Sequence, residues 1–353
     1  MTFEEDEGAV ATSLRAVAPS YAPAPNSPRS VAGPRRRVRR GYGWFAARRV
    51  GQSLVTLLGA SVLIWLLDAA APGDPAASFL ASRGDRNPTV QALAAARRQL
   101  GLDHSAPYRY FSWLIGLLHG NLGTSYITGR SVRTEIASRL GATLTLAGAA
   151  ITLVILAALI LGLVAAFWVW RWPDVALRGF TVVAAAVPGF IVGLFLIQYL
   201  VIKFGIGEVI TNGTPQEVLL PALAVAVNSL AVPTRVLRSS ILTAMQSNYA
   251  LLARARGARR ISVLLRHGLP NALVPFINAL ALSAAWMIGG TVVVETVFTW
   301  PGIGSYLVQA VAQRNLPVVE VISLIATAAF LGASLLADLL TALIDPRVDA
   351  SLQ

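Results

Sequence analysis

Apolar and polar residues alternate along the chain in long blocks, giving six apolar runs separated by polar segments of very unequal length. The runs cover Val50 to Ala71, then about 141 to 167, 177 to 202, 218 to 236, 272 to 294 and 318 to 344. Crossing roughly 30 Å of hydrocarbon takes about 20 helical residues, and each run is long enough. The predicted fold class is therefore an all-α integral membrane protein with six transmembrane helices. Pro188-Gly189 in the third run and Pro233 in the fourth mark kinks.

The polar segments divide the rest. Residues 1–40 open with Glu4, Glu5, Asp6 and Glu7 and continue through Ala, Pro, Ser and Arg without an apolar period, which predicts a disordered tail. The first span then occupies 41–71. Residues 72–140 leave the membrane: Ala71 to Pro75 (APGDP) is a turn cluster, and Thr89 to Leu100 reads as an amphipathic helix stopped by Gly101. Residues 141–348 hold the remaining five spans and a basic loop, 237–271. Few ionisable residues fall inside spans. Asp68 lies within one turn of Pro72 and is placed at the interface, while Asp338 reads as half of a structural pair near Asp345 and Arg347. Asn228 and Ser229 either bridge helices or face a pathway.

The basic loop is the most structured of these segments. Asn248 to Arg256 has a capping residue in front, strong helix formers inside, and Gly257 where a left-handed terminator belongs. A second amphipathic piece, Ile261 to Leu269, is predicted to end at Pro270, so two short helices meet at a glycine elbow. Tyr249, Ala253 and Gly257 recur every four residues and give one face an aromatic ring beside two residues of minimal bulk. Arg254, Arg256, Arg259 and Arg260 stay charged and solvated. Two readings stand at this point: a loop whose arginines only fix topology, or a docking surface.

Charge narrows the choice of compartment. The chain has 353 residues, 55% of them apolar and 13% charged, with a formal charge of +12. A nucleic-acid partner is excluded because the arginines flank apolar runs and do not form a stripe with interleaved aromatics. Lipid is the partner they suit. Arg48, Arg49, Arg171, Arg178 and Arg235 to Arg266 fall on one side, whereas the loops after the third and fifth spans carry only Lys203 and Arg314. The positive-inside rule then puts both termini in the cytoplasm, and the long 72–140 segment outside despite its arginines. With no cysteine, thiolate chemistry and disulfides are excluded. Lys203, the only lysine, follows Ile202, so no GxxxxGK[ST] loop exists and, if the system uses ATP, another polypeptide binds it with its Mg. There is no HExxH, no GxSxG and no Asp pair within a span, so no catalytic residue is assigned and the chain is not read as an enzyme. His267 stands apart from His104 and His119, and no metal site is assigned. An ATP-independent secondary carrier is the alternative, disfavoured by the scarcity of charges within spans.

Local sequences then point to a family. In order they are ARRVGQSLVTLLGASVLIWLL, APGDP, QLGLD at Gln99 to Asp103, HGNLGTS at His119 to Ser125, TRVLRSSILTAM at Thr234 to Met245, VVVETVFTWPGIG at Val292 to Gly304 and LLTALIDPRV at Leu339 to Val348. Their joint order and spacing, from about Arg48 to Arg347, resembles the permease subunit of binding-protein-dependent ABC importers of the dipeptide, oligopeptide and nickel branch. The resemblance implies a type I importer fold with an extracytoplasmic insertion between helices 1 and 2. It implies a second permease subunit in a heterodimer, two ATP-binding subunits and an extracytoplasmic substrate-binding protein, all at a bacterial inner membrane. Tyr249, Ala253, Arg254, Ala255, Arg256 and Gly257 match the Y-x-x-x-A-R-A-[KR]-G part of the family's EAA motif, which implies docking to the ATPase. Asn248, Leu251 and Pro270 depart from it, where an acidic residue, an arginine and an arginine are usual. Glu295, Phe298, Trp300, Pro301 and Gly302 match its outer loop, implying contact with the binding protein or an outer gate; interfacial anchoring by Trp300 is the competing reading.

Overall fold

The computed structural model describes residues 38–344 except 71, 86, 209 and 210, with the backbone alone for 38–43, 45 and 340–344. The acidic start of the tail and the residues Asp345 and Arg347 lie outside the described residues. The chain from Tyr42 onward forms one unit, and of the preceding unit only residues 38–41 are described, as helix. Val38 to Arg40, assigned to the tail from composition, are thus helical.

Among the described residues the chain is helical and the one β contact is an isolated bridge between Thr124 and Ser131. Helix α1 spans Val38–Ala70. Three short helices follow, α2 Pro75–Ser82, α3 Val90–Gln99 and α4 Ala106–Leu118, each with a proline or a polar cap at its start. Asp74 accepts from the Ala76 N–H at 3.0 Å and Thr89 from the Ala92 N–H at 3.2 Å, which satisfies donors the helices leave free. Gly101, at φ +64°, terminates α3 where a side chain would be strained. Ala76, Phe79 and Ala96 make a small core of their own.

Helix α5, Val132–Phe167, is 36 residues long, about 54 Å at 1.5 Å per residue, so it projects beyond the roughly 30 Å of hydrocarbon. Next come α6 Trp172–Ala186 and α7 Gly189–Leu196, the latter continuing as a π turn over Ile197–Lys203. The predicted third span is therefore broken: α6 and the α7 segment meet at 103°. Val187 and Pro188 form the corner, because the residue before proline avoids helical backbone and proline supplies no N–H. Carbonyls freed at the corner are recovered by Asn228, whose amide donates to Ala184 O at 3.1 Å and Val187 O at 3.2 Å. Asn228 is thus a helix bridge, while Ser229 donates within its own helix to Val225 O at 3.1 Å.

The fourth run is α8, Leu219–Ser229, and α9, Ala231–Met245, bent by 52° at Leu230. Pro233 lies in the first turn of α9, where the missing N–H has no intrahelical partner to lose. Helix α10, Asn248–Ala255, and α11, Arg260–Val263, precede a π turn, Leu264–Gly268, that runs straight into α12, Leu269–Val297. The chain closes with α13 Ile303–Ala312 and α14 Leu316–Ile344. Among the described residues four helices are long and apolar enough to cross a membrane, up to six spans if each bent pair counts as one.

Helix α12 is the hub, packing on α5, α7, α8, α9, α13 and α14. Small residues permit the closest approaches. A Cβ on Gly162 of α5 would come 2.8 Å from Leu237 of α9, and one on Gly193 of α7 would come 3.1 Å from Phe298. Asp338 has a partner that local sequence did not offer: Arg49 of α1, at 3.1 Å.

Candidate functional site

The basic loop forms a knuckle between α9 and α12. Ser247, with extended backbone, is the residue in front of α10, and its hydroxyl donates back to Ala244 O at 2.6 Å, so it caps by geometry and not by a side-chain bond to the helix. At the other end Gly257 sits at φ +84°, its N–H donates to Arg254 O at 2.9 Å, and Ala258 N–H reaches Ala253 O at 3.1 Å. That pair of bonds is a Schellman ending, and it requires the left-handed residue that glycine supplies without strain. The predicted stop at Pro270 is not present: α11, the π turn and α12 run on as one helical path from Arg260 to Val297. Pro270 is tolerated because it directly follows the π turn, where the α-helical hydrogen-bond ladder is already interrupted. Gly268 lets the π turn lie close to α9, where a Cβ would be 3.3 Å from Ile241.

The faces of α10 differ from the four-residue pattern read in sequence. Ala250 is fully buried and Ala253 packs partly against the same cluster, which includes Leu237, Ile241, Leu264 and Phe276. Tyr249, Leu251, Leu252, Arg254, Ala255, Arg256 and Gly257 are exposed. Ala253 therefore faces the protein, and the outward apolar row is Tyr249, Leu251, Leu252 and Ala255. A Cβ on Gly257 would meet nothing within 4 Å. The Tyr249 ring lies 6.0 Å from that of His267 and borders a cavity of about 390 Å³ with Thr243, Ser247 and Asn271.

The other end of α12 closes on itself. Glu295, Phe298 and Trp300 are fully buried and Gly302 is buried, leaving Pro301 exposed. Glu295 accepts from the Thr143 hydroxyl at 2.8 Å and the Ser305 N–H at 2.9 Å, which joins α5, α12 and the start of α13. Thr143 in turn accepts from the Ile303 N–H at 2.8 Å. Trp300 donates its indole N–H to Ala142 O at 2.9 Å, so it is a core residue and not an anchor at the membrane interface. Glu295 and Phe298, predicted for an outer contact, are out of reach of any partner in this conformation. Helix α13 starts where a carboxylate meets free backbone N–H groups, an arrangement that a buried acid needs.

Two polar features were illegible in the sequence. Asn315, 1% exposed, donates to Ser125 Oγ at 2.7 Å and accepts from Tyr126 N–H at 2.9 Å, tying the start of α14 to the loop before α5. Burial, and after it the charge of Glu320, pushes the Tyr126 phenol up to about 12, with Arg109 acting in the opposite sense. Asp68, half-buried and placed at the interface by sequence, borders a cavity of about 420 Å³ with Arg109 and Arg314. No local pattern announces the Asn315 tie or the arginines that share the cavity with Asp68.

Comparison with known proteins agrees with this architecture. The model of the "binding-protein-dependent transport system inner membrane component" family matches residues 158–350, and that of the N-terminal part of such components matches 44–147. The glutathione transport system permease protein GsiC of Salmonella choleraesuis is 33% identical over 304 residues, covering 86% of this chain and 98% of that protein. GsiC of Pectobacterium atrosepticum is 34% identical over 305 residues, with the same coverage. Among solved structures, an amino acid ABC transporter crystallised with histidines shares 21% identity over 60% of this chain and 94% of that one, at a TM-score of 0.49. With both family models matched along most of its length, the chain belongs to the inner-membrane components of binding-protein-dependent transport systems, the permease subunits of ABC importers.

Proposed function

We propose that this permease subunit couples to separate ATPase subunits through the α10 knuckle and forms, with a second permease, the route for a peptide or glutathione-like solute. The observation that carries the proposal is the outward row of α10: Tyr249, Leu251 and Leu252 are 46%, 50% and 52% exposed, on a helix locked at its base by Ala250 and ended by Gly257. A short rigid helix with its apolar side chains directed away from its own core suits insertion into a partner's groove. Its position between α9 and the continuous α11–α12 path links any movement of the knuckle to the hub helix. The arginine distribution orients this end, and both termini, to the cytoplasm. ATP and Mg then belong to the partner subunits, and a substrate-binding protein serves the opposite side. The solute class is taken from GsiC, a glutathione transport permease.

The test is uptake by the full transporter, reconstituted with its ATPases and binding protein. A Cβ at Gly257 meets nothing within 4 Å, so Gly257→Trp costs mainly the strain of a left-handed side chain, and insertion and yield are expected to hold while uptake falls at least about tenfold, a loss near 1.4 kcal/mol of docking. Normal uptake and normal ATP hydrolysis by that variant would overturn the coupling assignment. Competition between labelled glutathione and dipeptides in the same vesicles assigns the solute.

A further inference from the structure

Beside the knuckle, four arginines from four different helices line one cavity of about 750 Å³: Arg178 of α6, Arg238 of α9, Arg254 of α10 and Arg260 of α11. A single carboxylate stands against them. Asp174, fully buried, accepts from Arg238 Nε at 2.6 Å and Nη2 at 2.7 Å and from the Trp170 N–H at 2.9 Å, and lies 3.7 Å from Arg178. Its capacity is used. Arg254 and Arg260 have no carboxylate within 4.0 Å among the described residues, and Arg178 holds a buried Nε that no acceptor satisfies. Guanidiniums gathered in this way repel one another until an anion arrives, and their planar forks fit phosphate oxygens in pairs.

The surroundings indicate the depth of the site. Arg178 lies over the Trp170 ring at 4.9 Å and Arg260 over Phe167 at 5.5 Å. Trp170 and Trp172, at the turn where α5 ends and α6 begins, are 77% and 81% exposed. Exposed tryptophans at the end of a spanning helix lie at headgroup level, where basic pockets between helices take up anionic lipid.

We propose that this cavity is a binding site for a phosphate-bearing anion, supplied by the headgroup of an anionic phospholipid, which ties the α10–α11 knuckle to the α5–α6 turn. A phosphate there adds a polar tie between elements that already meet through Arg260 and Phe167. The binding itself is a property of this chain. Its effect on transport rests on the coupling role proposed above.

The two are separable by measuring binding on the purified full chain, without ATPase. Native mass spectrometry after delipidation would compare added phosphatidylglycerol with zwitterionic phosphatidylcholine, alone and against inorganic phosphate. Phosphatidylglycerol is expected to bind in preference. Each cavity arginine contributes about fivefold, so Arg178→Gln with Arg260→Gln weakens binding about 25-fold. Arg259→Gln with Arg266→Gln removes the same charge from exposed positions outside the cavity and is expected to bind like the parent. If inorganic phosphate displaces the lipid, the site stands with a soluble anion as its ligand; if it does not, the lipid source stands. Equal binding of the two lipids, or equal weakening by the two double variants, would overturn the proposal. If uptake proves insensitive to Gly257→Trp while the binding preference survives, the coupling role fails and the anion site remains.

Discussion

The two ends of α12 carry the same ingredients, a glycine turn and a short helix, and use them in opposite ways. At the α13 end a buried carboxylate, two buried aromatics and a threonine from α5 converge, and every bond stays within the chain. At the α10 end the glycine stands in open space and three large side chains face outward. About 57 Å of helical path, the 38 residues from Arg260 to Val297 at about 1.5 Å each, separates the knuckle from the α13 turn. An element that closes its own hydrogen bonds serves the fold, whereas one that leaves apolar groups exposed is built for another surface.

The same substitution made at both ends tests that contrast. Gly304→Ala is expected to have the largest effect, because its Cβ would lie 2.6 Å from the Val292 Cα, which belongs to backbone and cannot swing aside. A loss of about 3 kcal/mol, read as a fall in melting temperature and yield in detergent, is the expected outcome. Unchanged melting would show that the α13 end is loose. Glu295→Gln comes next: the amide keeps the shape but turns one acceptor into a donor facing the Thr143 hydroxyl or the Ser305 N–H, at a cost of about 2 kcal/mol. Gly257→Ala is the smallest. It meets no atom, and only the left-handed backbone opposes it, by about 1 kcal/mol. A melting shift as large as that of Gly304→Ala would erase the distinction between the two ends.

Much of this architecture was legible before any coordinates. Six apolar runs match the four long helices and two bent pairs of the described residues, and Gly257 and Gly101 marked helix ends by the left-handed backbone that glycine favours. The order of short motifs gave the family. Where the reading went astray, the deciding contact came from far along the chain. Ala253 was placed on the outer face because spacing defines a face without saying which way it turns, and the cluster around Leu237 and Phe276 turns it inward. The family motif implies an outer contact for Glu295 and Trp300, with an interfacial anchor as the other reading for Trp300, yet both are buried because α5 supplies Thr143 and Ala142 to receive them.

Charged residues show the same division. The sequence predicts a structural pair for Asp338, and among the described residues its partner is Arg49 on α1; Asp174 is held by Arg238, 64 positions away. By itself the sequence determined the spans, their breaks at Pro188 and near Pro233, the glycine stops and the family, because these depend on local backbone preference and on transfer from water to lipid. Only the tertiary structure decided which side of α10 faces out, how sharply the third run bends, which acid answers which arginine, and that four arginines share a cavity. Those outcomes depend on contacts between distant segments, which no local pattern encodes.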